Sequence, residues 1–293
     1  MDNSESFGGP FIREYLSKLA ALSDTGNGRT LEELKKSKGT LKGEESQRLR
    51  TFCTSHCMDV HRDLDEDGRA LLEGKMADAR LWHSSLVMMK RCNNEISQEA
   101  ATKVVANIFA AMRWGPTVTP LYYLLFIFTQ IVPQRRAYYL ALSRYFIDEA
   151  KVPVDSRDLS GTTALGHCFS TKPSFDLEYA QMLVDAGADI NARNRYGGTV
   201  AHAIVQIYDQ RNPAVVRRAR EALQFFLKNG GNVDIADGDG HSPRSMLQTS
   251  VRIHQLQDVV DQEDDCRAIL DLEESRTPNR VSFPQYMCHG KEV

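Results

Sequence analysis

The chain is short of the features that mark secreted, membrane-spanning or nucleic-acid-binding proteins. Its six cysteines (53, 57, 92, 168, 266 and 288) are too few and too scattered over 293 residues to staple a fold, and no Asn-x-Ser/Thr sequon occurs. A reducing, intracellular setting, cytoplasmic or nuclear, is therefore the expectation. The longest apolar run, LYYLLFIFTQIV at 121–132, falls well below the roughly 20 residues that a spanning helix needs. Prolines 120 and 133 bracket it, so it reads as a helix buried on nearly all sides. Neither charge sign dominates: 36 basic against 39 acidic residues leave a formal net charge of −3, which gives no reason to expect nucleic acid or an anionic membrane. No phosphate-binding loop, nucleophile elbow or His-Glu-x-x-His pattern occurs, and GNGRT at 26–30 is too short and lacks a preceding strand. The first ten residues are polar without an apolar core, unlike a secretory signal or transit peptide.

What is present is ordinary globular material, 42% apolar and 26% charged, enough for a large core. Residues 1–22 read as a polar tail followed by a short amphipathic helix that carries Phe11, Ile12, Tyr15, Leu16 and Leu19 on one side. From 23 to 45 the composition turns to Gly, Ser, Thr, Lys and Glu, which reads as a polar linker or frayed helix without chemistry. Helical periodicity returns over 46–62, 69–91 and 97–113, the last with Val104, Val105, Ile108, Phe109 and Met112 as its apolar face. Residues 277–293 form a polar tail with two prolines.

Between these flanks the chain repeats itself. Thr119-Pro120-Leu121, Thr163-Ala164-Leu165, Thr199-Val200-Ala201 and Ser242-Pro243-Arg244 each open a helical stretch. A second marker keeps step: Val154-Asp155, Ile190-Asn191 and Val233-Asp234 stand three residues before Asp158, Asn194 and Asp237. Both markers recur at the same 36- and 43-residue intervals. Two independent markers sharing one varying period indicate a stack of similar units, each a first helix, a longer second helix and a Gly-bearing turn.

These residues resemble the ankyrin repeat, with its period of about 33 residues and Thr-Pro-Leu-His signature. The likeness rests on DLSGTTALGH (158–167), NRYGGTVAH (194–202) preceded by LVDAGADIN, and DGDGHSP (237–243) preceded by FLKNGGNVD, with a fainter unit opening at Gly115. It covers about 114–276 as four units. Only His202 occupies the signature's His position, where Tyr122, Gly166 and Ser245 stand in the others, and extra residues at 170–174 and 209–213 lengthen the units. The resemblance implies an all-α fold, an α-solenoid with a helical N-terminal region, and a non-catalytic protein-binding role without cofactor, metal or small-molecule substrate. It further implies that partners meet the turn tips: Leu159, Ser160 and Thr162, then Arg195, Tyr196 and Gly198, then Gly238, Asp239 and His241. Of these, Arg195 and Tyr196 are the expected anchors, since Arg and aromatic side chains dominate interface energetics. His202 is expected to hold a turn rather than to act as a base.

Two other classes stay open at this level. One is a metal-regulated adaptor. Asp63, Asp65 and Asp67 with Gly68 begin like a calcium loop, but Gly74 stands where its closing Glu belongs, so an acidic turn with Asp67 capping the next helix is the simpler reading. Cys53, Cys57 and His61 would share a helical stripe but lack the second ligand pair of a zinc site. The other class is an enzyme whose site lies in the N-terminal helices. Finally, the basic run Arg217, Arg218 and Arg220 is expected to face the acidic run at 261–265.

Overall fold

The computed structural model describes residues 28–74, 76–170, 175–207, 209, 211–249 and 256–264. The N-terminal amphipathic helix and both terminal tails lie outside the described residues. The described part is predominantly helical, with one two-stranded antiparallel ribbon, β1 (Arg113–Trp114) and β2 (Thr119–Pro120), in which Arg113 faces Pro120.

Among the described residues five helices precede the ribbon: α1 (Leu31–Lys36), α2 (Gly43–Ser55), α3 (Glu66–Glu73), α4 (Met76–Asn94) and α5 (Gln98–Ala111). Three of these starts are locally encoded. Thr30 and Glu33 form a reciprocal capping box on α1, Asp65 caps α3 through the Gly68 amide, and Ser97 caps α5 through the Ala100 amide. Three boundaries differ from the periodicity. The first expected helix begins at Gly43 and stops at Ser55, where His56 takes a non-helical conformation. The second is two helices, α3 and α4, because Gly74 ends α3; a side chain there would collide with the Tyr138 hydroxyl. The cap is Asp65, not Asp67, which lies inside the first turn of α3.

After the ribbon come α6 (Leu121–Ile131), α7 (Arg136–Asp148), α8 (Ala164–Ser170), α9 (Leu177–Asp185), α10 (Val200–Val205), α11 (Pro213–Lys228) and α12 (Pro243–Thr249), followed by helical residues 256–264. The short helices α6, α8, α10 and α12 pack one against the next in series, and α6, α8 and α10 each pack on their own following helix, α7, α9 and α11. The apolar run of α6 is buried in this arrangement, with Leu121, Tyr122, Leu124, Leu125, Phe126 and Phe128 all inaccessible. Among the described residues no helix is long and apolar enough to cross a membrane.

Polar atoms are also built into this core. The Tyr179 hydroxyl donates to the Tyr122 carbonyl at 2.9 Å and meets Ser143 Oγ at 2.9 Å, while the Tyr122 hydroxyl donates to the Val152 carbonyl at 2.9 Å. These bonds tie α6, α7 and α9 together at depth, where an unmade bond is costly. Two members of the charge runs have ion pairs elsewhere. Arg217 pairs along its own helix with Glu221, and Asp264 instead joins Asp234 around Arg244.

Candidate functional site: a row of turn tips and the segment that covers it

Three turns precede α8, α10 and α12, and they are built alike. In each, an Asx residue donates its amide to the carbonyl four positions on: Asp158 to Thr162 at 3.1 Å, Asn194 to Gly198 at 2.9 Å and Asp237 to His241 at 2.8 Å. The side-chain oxygen of the same residue accepts the amide of that partner, at 2.9, 3.0 and 3.0 Å. This reciprocal closure is available only to Asp or Asn here, which explains the sequence marker. The tip then needs a left-handed residue, and Gly161, Gly197 and Gly240 supply it at φ of +76°, +78° and +91°.

Successive tips are joined by main-chain bonds. The Leu159 amide donates to the Thr117 carbonyl at 2.9 Å, Arg195 to Ser160 at 2.8 Å and Gly238 to Tyr196 at 2.8 Å. Arg157 and Arg193 repeat a second link, each bonding the Gly of its own turn (Gly161, Gly197) and a carbonyl of the next unit (Arg193, Ala236). The tips thus form one continuous row with a fixed spacing.

His202 locks the row from beneath. It is buried, and its Nδ1 accepts the Thr199 amide at 2.9 Å, so Nε2 carries the proton and donates to the His241 carbonyl of the next turn at 3.0 Å. Both ring nitrogens are committed to backbone, which leaves neither for proton transfer to a substrate. His167 at the preceding turn meets Asp158 at 2.8 Å and stacks on Tyr123 with centroids 3.5 Å apart. Burial holds the His202 pKa below its ordinary value. The unfolded chain, with an imidazole pKa near 6.5, therefore takes up protons that the folded chain refuses. The stability contributed by the neutral ring is complete above that pH and is lost as pH falls through the folded value. His83, buried beside Tyr145, is lowered for the same reason. We expect the melting temperature to fall between about pH 7 and 5, and His202→Asn, which keeps a donor and an acceptor but cannot titrate, to shrink that fall. An identical pH slope in the variant would remove His202 from this account.

The row of tips is largely covered within this chain. Leu159, Ser160, Tyr196 and Gly198 are buried, Thr162 and Arg195 are half-buried, and only Asp239 and His241 are exposed. The cover is the chain's own α1–α2 segment, part of which reads from composition as a linker. Leu34, Leu41, Leu49 and Phe52 of the segment close over Leu159 and Tyr196 to form an apolar cluster of their own, separate from the main core. Tyr196 is left only 7% exposed, with the Arg50 guanidinium 4.4 Å from its ring centre. Arg195 Nη2 donates to the Leu34 carbonyl and to Ser37 Oγ, both at 2.9 Å, which satisfies the C-terminal end of α1. The segment's backbone is read as well: the Leu41 amide donates to the Arg195 carbonyl at 2.6 Å and the Gly43 amide to Asp239 Oδ1 at 3.0 Å.

The sequence reading thus finds the tips but misses Leu34, Ser37, Leu41, Leu49 and Phe52. One signal was legible: Thr30-Leu31-Glu32-Glu33 is a capping-box pattern before leucines. The other candidates do not assemble. The Asp63 carboxylate is taken by Arg62 and the Asp59 amide, and Asp65 by the Gly68 amide and Trp114 Nε1, so these carboxylates do not converge on a common point. With α2 ending at Ser55, Cys57 and His61 do not continue its stripe. The Cys53 thiol, held beside Tyr196, is pushed up to about 12 by burial. Among the described residues no group of three His, Cys, Asp or Glu side chains could hold a metal ion. A scan of known protein-family models finds none that matches this chain, and no curated protein matches it either.

Proposed function

We propose that this chain is a non-catalytic protein-interaction module, an ankyrin-like stack of about four turn-helix-helix units whose row of turn tips is the recognition surface. The observation that supports it best is the row itself. Three turns with one hydrogen-bond pattern are joined tip to tip through main-chain bonds, so the backbone is fixed independently of the side chains at 159–160, 195–196 and 239. A surface of that kind suits recognition: its geometry is set before a partner arrives, and the ordering cost of binding is correspondingly small. The histidine at the row is committed to the backbone, as a holder of the stack rather than a reactive group. Protein partners, rather than nucleic acid or membrane, fit a chain of nearly balanced charge.

The test is hydrogen exchange on the full chain purified from cells together with whatever protein remains bound at stoichiometric amount, compared with the chain stripped of it. We expect slowed exchange in the turns at 158–162, 194–198 and 237–241. A partner that protects only other parts of the chain, or turnover of a small molecule in the absence of any protein partner, would overturn the reading.

A further inference from the structure

Resting on that reading of the tips, we infer that the row is a peptide-docking site held in this chain by its own residues 29–56, and that a partner segment of the same chemistry takes it by displacing them. That chemistry is a short helix ending in a leucine carbonyl and a hydroxyl, a second leucine about seven residues on in extended backbone, and a following helix that presents an apolar and a basic side chain.

Four observations carry this. The first is that the segment has contacts of its own between α1 and α2. Arg29 clasps Glu45 through both carboxylate oxygens, at 3.0 and 2.7 Å, Arg48 bonds the Arg29 carbonyl, and Lys35 lies over the Phe52 ring. These contacts fold α1 onto α2 without help from the repeats. The second is that the segment adds nothing to the main core: its buried side chains join only Leu159 and Tyr196, so lifting it opens a small apolar cluster and leaves the large one closed. Local opening of a unit so attached costs far less than global unfolding.

The third is the mode of contact. The tips hold backbone groups of the segment, the Leu34 carbonyl and the Leu41 and Gly43 amides, together with the side chains of three leucines and Phe52. Such contacts can be reproduced by any peptide with leucines at that spacing. Gly238 makes room for this approach, since a Cβ there would stand 2.5 Å from the Leu41 carbonyl oxygen. The fourth is that the fit in cis is incomplete. Arg195 Nε is buried with no hydrogen-bond partner among the described residues. That N–H carries a desolvation cost that a segment offering an acceptor would recover.

The experiment uses the full chain and three variants: Leu34→Asp with Leu41→Asp, the same pair with Tyr196→Ala added, and Gly238→Ala alone. Pulsed alkylation with N-ethylmaleimide, read by peptide mass spectrometry, follows Cys53 on the face of the segment that meets Tyr196 and Cys168 in the main core. The binding probe is a fluorescein-labelled peptide of residues 29–56 carrying Cys53→Ser. In the double-Asp variant we expect Cys53 to react at least about tenfold faster while Cys168 stays as slow as in wild type, in line with local opening. That variant should also bind the peptide at least about tenfold more tightly than wild type, since the cover no longer competes. Adding Tyr196→Ala should abolish this gain. Gly238→Ala should expose Cys53 yet fail to bind the peptide, because its Cβ blocks either occupant.

Cys53 and Cys168 becoming reactive together in both the double-Asp and the Gly238→Ala variants would make the segment an integral part of the fold and overturn the inference. An opened variant with Cys168 protected that ignores the peptide would overturn it too. A wild-type chain that protects Cys53 only as a dimer would assign the surface to a second copy and reject the partner. A partner bound equally well by wild-type and opened chains, away from the tip row, would end this inference while leaving a protein-binding role in place.

Discussion

Gly197→Ala should lower the unfolding free energy by about 3 kcal/mol or more, whereas Gly240→Ala, at the same position of the next turn, should cost only about 1 kcal/mol. Both glycines have left-handed backbones, at φ of +78° and +91°, so both substitutions carry the conformational penalty of a Cβ there. They differ in what that Cβ meets. At Gly197 it would stand 2.5 Å from the Gly238 amide nitrogen and 2.9 Å from the Asp237 carbonyl carbon, main-chain atoms of the adjoining tip. Backbone cannot rotate away as a side chain can, so the tips must separate and the 2.8 Å bond from the Gly238 amide to the Tyr196 carbonyl is lost with them. At Gly240 nothing lies within 4 Å, and only the strain remains. Urea melts followed by circular dichroism decide the matter. Equal costs at the two glycines would mean that the tips do not form the tight row described above.

The second large effect lies in the core. Phe226 on α11 is fully buried, and truncation to Ala is expected to cost about 3–5 kcal/mol through lost burial and the cavity left behind. Its ring also defines the end of the helix. A Cβ on Gly231 would fall 2.3 Å from Phe226 Cδ1, so the chain can leave the helix and turn back towards Val233 only because residue 231 has no side chain. Gly231→Ala should therefore be strongly destabilising in the wild-type background and nearly neutral once Phe226 is Ala. The coupling energy expected from the four-member cycle is about 1–3 kcal/mol. Additive losses would show that Gly231 is tolerated for some reason other than this contact.

The pH dependence expected from His202 and the opening of the α1–α2 segment are smaller effects, but they probe different parts of the same surface. His202 links one turn to the next from within, and the segment bridges the tips from outside. Perturbing the first should loosen the row itself. Perturbing the second should leave the row intact and bare it.

How far the sequence could be read depended on whether the information was local. Helix starts at Thr30, Ser97 and Asn212 are written in capping residues a few positions from the groups they satisfy. The recurrent turns were legible for the same reason: an Asx residue, a glycine three positions on and a short helix immediately after all accompany one five-residue hydrogen-bond closure. Position 202 could be assigned a holding role before any geometry was known, although the particular carbonyl it reaches belongs to residue 241, 39 residues away. Boundaries were less legible where termination was tertiary. Gly74 ends α3 against Tyr138, whose position depends on how α7 packs.

The largest difference between sequence and structure concerns residues 28–45. Composition there is polar, lysine-rich and glycine-bearing, and nothing within the stretch distinguishes a solvated linker from a docked segment. Leu34 and Leu41 are single apolar residues in a charged context, yet they are 0% and 1% exposed because Leu159 and Tyr196, more than a hundred residues further on, supply the other half of the cluster. By itself the sequence determined the predominantly helical class, the repeated turns and the residues that stand at their tips, since each follows from hydrogen bonds and periodicities spanning a few positions. Only the tertiary structure decided that those tips are covered, and by what. Burial is a property of two surfaces meeting, and here the second surface comes from a distant part of the chain whose own pattern does not announce it.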